Sequence, residues 1–153
     1  MDSEIIFAKT TLYDEIMLAI HTPAGIADFK SETETHWVQA LWDTGASMSC
    51  ISDRLAQQLG LAEFGFLQMG TASGFQRVPY YIVSLHLAKN KVFNPCVVAE
   101  FTYIDDDCDL IIGMDIISQG DFALSHRDGA TLFSFRIPWQ EPIDFEENLL
   151  SPA

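Results

Sequence analysis

Short runs of Phe, Val, Ile, Tyr and Thr recur along the chain and are broken every few residues by Gly, Pro or Asp. Most are too short for stable helices, and their β-branched and aromatic residues suit a pleated, half-buried surface. The pattern predicts a mainly β domain with strands near 5–12, 14–21, 36–43, 64–70, 75–88, 91–101, 121–126 and 130–136. Asp128-Gly129 lies between the last two and suits a tight hairpin turn. Residues 22–35, with Pro23, Gly25 and the polar run SETET, read as a loop or insertion.

One helix interrupts the strands. Ser52 can cap it, Leu55 and Leu59 share a face, and Gly60 can end it in a left-handed conformation. A second short helix is expected from Met114 to Gln119. The segment from Pro138 onward is acidic and punctuated by proline, which reads as a peripheral tail. A length of 153 residues fits one domain. The expected division is a domain over 1–137 followed by a tail over 138–153.

The net charge of −14 opposes nucleic-acid binding, and the 8 basic residues are scattered rather than gathered in a patch. Cys50, Cys96 and Cys108 are an odd number without CxxC spacing, which points to packed free thiols in a reducing compartment. The first residues lack the basic start and apolar run of a signal peptide. No stretch approaches the ~20 apolar residues of a membrane span. The expected location is the cytoplasm.

The residues richest in chemistry are Asp43-Thr44-Gly45-Ala46, directly after the apolar run Val38–Trp42. A carboxylate at a strand end projects from rigid backbone, the glycine permits a sharp turn, and the threonine hydroxyl can bond locally or across an interface. Alone, such a tripeptide equally describes an ordinary Asp-Gly turn. Further along stands Asp109-Leu110-Ile111-Ile112-Gly113-Met114, an apolar strand ending at glycine before a helix start. Between them, Gln68-Met69-Gly70-Thr71-Ala72-Ser73-Gly74-Phe75 reads as a glycine-flanked hairpin.

Taken in order, these three segments resemble the retropepsins, the retroviral proteases and their cellular relatives, over about residues 36–126. The resemblance implies a closed, barrel-like β fold with one or two short helices, working as a two-fold homodimer. Asp43 would be the catalytic carboxylate, with Thr44, Gly45 and Ala46 as its loop. Gly70, Thr71, Ala72, Ser73 and Gly74 would form a flap over the substrate, and Ile111, Ile112 and Gly113 would support the catalytic loop. In retroviral enzymes an Asp after the motif pairs with an Arg after Ile-Ile-Gly. Ser47 and Met114 stand at those places here, so that brace is absent.

Only one Asp-Thr-Gly is present, with no Asp-Ser-Gly. A peptidase of this kind needs two carboxylates about one water, so a single motif implies two chains about a two-fold axis. Two carboxylates at hydrogen-bond distance share one proton, a behaviour for which aspartic proteases are the standard example. The substrate would be an extended polypeptide, and the chemistry calls for no cofactor.

Other features favour plain readings. Asp105-Asp106-Asp107-Cys108-Asp109 fails the calcium-loop pattern, because Leu110 and Ile116 occupy its glycine and glutamate positions. His21, His36, His86 and His126 lack zinc-site spacing. Cys50 has no adjacent histidine, and Ser47 and Ser49 lack a Gly-x-Ser-x-Gly frame. Phe64, Phe66, Phe75, Tyr80 and Tyr81 suit packing of the core and the flap base. Two alternatives to an endopeptidase stay open: a non-cleaving dimer that binds peptides or scaffolds a partner, and a monomeric barrel that binds a small ligand.

Overall fold

The computed structural model describes residues 7–31, 34–103 and 108–146. The acidic run Asp105–Asp107, the start of the strand expected from residue 5 and the tail beyond residue 146 lie outside these. The chain divides into two compact units, residues 19–116 and residues 1–18 with 117–153.

The larger unit is built from β2 (Ile20–Asp28), β3 (His36–Trp42), β4 (Cys50–Ser52), β5 (Gly65–Thr71), β6 (Gly74–Ala88), β7 (Lys91–Phe101) and β8 (Leu110–Ile112), with α1 (Asp53–Gln58) after β4. Its strands run in the order β2-β3-β8-β4-β7-β6-β5. Because β2 also pairs with β6, the ring closes and β5 projects beyond it. Closure removes the exposed edges that an open sheet would leave. Ala24, Ile26, Ala40, Ile51, Leu55, Val83, Leu85, Val98, Leu110 and Ile112 are buried. The expected closed, mainly β barrel is therefore present.

The smaller unit is a three-stranded antiparallel sheet in the order β1-β10-β9. It comprises β1 (Phe7–Tyr13), β9 (Asp121–Arg127) and β10 (Ala130–Ile137). The helix α2 (Met114–Ile117) spans the division between the units. The β9–β10 turn is the expected one: Asp128 and Gly129 have φ of 52° and 79°, the left-handed pair that a two-residue hairpin favours.

Two expectations need correction. Residues 14–19 are not strand, and residues 22–28, read as loop, belong to β2. Pro23 lies where β2 pairs with β3 alone, because β6 begins to pair with β2 only at Gly25. Gly25 is required by close approach. A Cβ there would lie 3.1 Å from the His86 Cβ and 3.3 Å from the Trp37 ring. The two short strands β4 and β8 also pair with each other, and the first was not anticipated.

The helix α1 forms as its caps direct. The Ser52 hydroxyl accepts from the Leu55 amide at 3.0 Å, and Gly60 takes φ 62° past the end. Leu55 and Ala56 are its buried residues, while Leu59 is half-buried.

Candidate active site

Asp43 follows β3 directly, and the backbone beneath it is tightly held. The parallel pairing of β3 with β8 matches Leu41 to Ile111 and Trp42 to Ile112. The Asp43 amide continues that ladder by donating to the Ile112 carbonyl at 3.0 Å. One residue earlier, the buried Trp42 indole donates to the buried Thr22 hydroxyl at 2.9 Å, so the ring cannot roll without losing a bond.

The loop then turns sharply. The Ala46 amide donates to the Asp43 carbonyl at 3.2 Å, and the Gly45 amide donates to the Asp43 carboxylate at 2.8 Å. A Cβ at Gly45 would sit 3.1 Å from that carboxylate oxygen, so the glycine keeps the space beside it open. Asp43 and Ala46 are half-buried, whereas Thr44 and Gly45 are exposed. The carboxylate is thus fixed from behind and accessible in front.

Ile111, Ile112 and Gly113 stand next to this loop. The Met114 amide donates to the Ala46 carbonyl at 2.8 Å. Gly113 is demanded by space: a Cβ there would lie 2.5 Å from the Met48 carbonyl carbon and 2.6 Å from its oxygen. Ser47 is exposed and Met114 half-buried.

Two residues of this assembly were missed by sequence reasoning. The buried Ser49 hydroxyl accepts from the Gly113 amide at 3.1 Å and donates to Asp115 at 2.8 Å. The only local signal was a polar residue in the Ser47-Met48-Ser49 run and an Asp two places after the glycine. Between the loops lies Cys50, whose thiol is pushed up to about 11 by burial and then by the charges of Asp115 and Asp43. It is a packed, protonated thiol.

The residues Gly70–Gly74 form the tip of the β5–β6 hairpin. Thr71 pairs with Gly74 around Ala72 and Ser73, and Gly74 adopts φ 111°. The Thr71 hydroxyl donates to the Gly74 carbonyl at 2.9 Å and accepts from the Ser73 amide at 3.2 Å, which stiffens the tip. On one face of the hairpin Phe66 and Phe75 are exposed, and the Arg77 guanidinium lies 4.2 Å above the Phe66 ring. On the other, Leu67, Met69 and Val78 are half-buried.

A second cluster braces the strand that carries Ile111. Asp109, just before β8, bonds Arg54 through both carboxylate oxygens and accepts from the Ser52 hydroxyl at 2.6 Å. Burial raises the Asp109 carboxyl, but the hydrogen bonds from Arg54 and Ser52 and the Arg54 charge outweigh it and hold it below its ordinary value. Among the described residues, no group of His, Cys, Asp and Glu is arranged to hold a metal ion. The Asp105–Asp107 run is outside that search. No disulfide is formed by Cys50, Cys96 or Cys108.

A closed β ring with an Asp-Thr-Gly loop at a strand end, propped from below by an Ile-Ile-Gly turn, defines a retropepsin-like domain. A family model described as gag-polyprotein putative aspartyl protease matches residues 30–119, and the chain belongs to that family. DNA damage-inducible protein 1 of Saccharomyces cerevisiae is 30% identical over 91 residues, which are 58% of this chain and 21% of that protein. The chain thus spans about a fifth of that relative's length. A retropepsin-like aspartic protease from Rickettsia conorii aligns with a TM-score of 0.51 at 13% identity, covering 86% of this chain and 94% of the other. The EIAV protease in complex with the inhibitor HBY-793 aligns with a TM-score of 0.50 at 18% identity, covering 65% and 86%. At those identities the two structures attest the fold. No helix among the described residues is long and apolar enough to cross a membrane.

Proposed function

We propose that the chain is an aspartic endopeptidase that works as a two-fold homodimer on extended polypeptides. The observation that carries this reading is the Asp43 carboxylate, anchored by the Gly45 amide and the β8 backbone yet open toward solvent on a chain with a single such motif. The grooves beside Asp28 and His36, beside Lys9 and Arg136, and beside Leu12 and Arg127 involve no residue of the 43–46 loop. That suits a half-site whose cleft is completed by a second copy.

In the dimer the two Asp43 side chains face each other and share one proton. The ionised carboxylate takes a proton from the bound water, which attacks the scissile carbonyl. The protonated one hydrogen-bonds to the carbonyl oxygen, and the pair then delivers a proton to the leaving nitrogen. Thr44 links the two loops across the axis, and Gly45 leaves room for the substrate backbone. The hairpin tip Gly70–Gly74 acts as a flap that excludes water and adds main-chain bonds to the peptide. The mechanism calls for no cofactor and no nucleic acid. Packed, reduced thiols at Cys50 and Cys96 suit a cytoplasmic setting. We assign residues 1–137 to the peptidase domain and 138–153 to a tail.

Sedimentation equilibrium on the wild type and Asp43→Asn, paired with peptide-library cleavage across pH, tests this. A dimer whose cleavage disappears with Asp43 is the expected result. Retained cleavage in Asp43→Asn overturns the assignment. A dimer that never cleaves points instead to the silent peptide-binding or scaffold module, a reading with some support in the missing brace at Ser47 and Met114. A monomer at every concentration overturns the two-fold site.

A further inference from the structure

Ser49 occupies a position that the proposed chemistry does not use directly. Its carbonyl accepts from the Ala99 amide at 3.1 Å, so its backbone is tied to β7. Its hydroxyl reaches the opposite way, to the turn between β8 and α2. A hydroxyl offers one donor, which goes to Asp115 at 2.8 Å, and it also accepts from Gly113 at 3.1 Å. The Asp115 oxygen that receives it also accepts from the Ile116 amide at 3.0 Å. The residue is fully buried, so no water competes for these bonds.

The geometry points to Ser49, with Asp115 as its acceptor, as a positioning residue for Asp43. This rests on the peptidase reading above. The link is short and continuous. Gly113 separates Ile112, whose carbonyl holds the Asp43 amide, from Met114, whose amide holds the Ala46 carbonyl. Whatever fixes the Gly113 peptide therefore fixes both ends of the loop that carries the carboxylate. Gly113 is pressed against Met48 too closely for a side chain of its own, so it is held through its backbone, the carbonyl by the Ile116 amide at 3.1 Å and the amide by the Ser49 hydroxyl. Removing the Ser49 hydroxyl leaves the buried Gly113 amide without that acceptor and frees the turn to shift. Displacement of a catalytic group by about 1 Å lowers rates up to about 100-fold.

The test compares full-length wild type with Ser49→Ala, Asp115→Ala and Asp115→Asn, by amide hydrogen exchange and by peptide cleavage. Ser49→Ala and Asp115→Ala are expected to exchange the Gly113, Met114 and Ala46 amides at least about tenfold faster. They are expected to lower kcat about 10- to 100-fold while KM stays within about twofold. Asp115→Asn keeps an oxygen for both bonds and is expected to retain protection and kcat. Unchanged exchange and kcat in Ser49→Ala overturn the proposal, as does an Asp115→Asn as impaired as Asp115→Ala. If Ser49→Ala does not fold, the two Asp115 variants carry the same comparison. If the wild type cleaves nothing, the peptidase reading fails, and unchanged exchange at Gly113 would separately remove the positioning role.

Discussion

A methyl group at position 113 would overlap the Met48 carbonyl, so this glycine is held by space rather than by its backbone angles. Gly113→Ala is expected to cost about 1–3 kcal/mol through overpacking and to pull the Ala46–Met114 bond apart. A lower melting temperature together with weaker peptide cleavage checks it, and a stable, fully active variant would contradict the tight approach. The thiols give a second prediction at this scale. Burial is the main cause that pushes Cys50 to about 11 and Cys96 to about 12, so near pH 8 both are almost wholly protonated and slow to alkylate. Cys108 is half-buried. Native-state alkylation followed by peptide mapping is expected to label Cys108 first.

Among the elements, α1 and β8 are coupled through Asp109, which yields a pH prediction. Its carboxyl is depressed in the folded protein, so the stabilisation is present above the unfolded value of about 3.9 and is lost as pH falls through the lower folded value. Asp109→Asn is therefore expected to lower the melting temperature at neutral pH, with the gap to wild type closing below about pH 4. A gap that is constant with pH would remove the ion pair as its cause. The hairpin tip makes a different demand. Gly74 sits at φ 111°, so Gly74→Val is expected to cost roughly 1–3 kcal/mol of hairpin order. Reduced cleavage by a variant whose barrel still melts near the wild-type temperature would support a moving flap.

Elements whose residues announce themselves were legible in the sequence, and the others were hidden for physical reasons. The helix α1 carries its own caps, and the β9–β10 turn carries Asp128-Gly129, so local chemistry sufficed. The strand β2 was not legible, because Pro23, Ala24 and Gly25 have poor strand propensity, and Gly25 is selected by its close approach to His86 of β6 and to Trp37. At the site, Asp43, Thr44 and Gly45 stood out as a contiguous pattern beside a strand. Ser49 and Asp115 did not, since they are 66 residues apart and meet only because β4 and β8 pair. No periodicity encodes such a contact.

At the scale of the whole molecule, charge sets the conditions for assembly. Each copy carries −14, so two copies repel over distances that salt screens. The proposed homodimer is expected to tighten as ionic strength rises from about 0.05 to 0.5 M, where the Debye length falls below about 5 Å. Sedimentation equilibrium across that range measures it, and a dimer that weakens with salt would mean that attractive ion pairs dominate its interface.

The pairing of Phe7 with Ile137 bears on how the protein is made. On the ribosome β1 emerges early, yet its partner β10 is synthesised some 120 residues later. The ring formed within residues 19–116 needs only a continuous stretch of chain and can close as soon as that stretch is released. Until β10 follows, the newborn chain carries a finished barrel with an unpaired strand ahead of it, and that strand is open to chaperones or to a neighbouring copy.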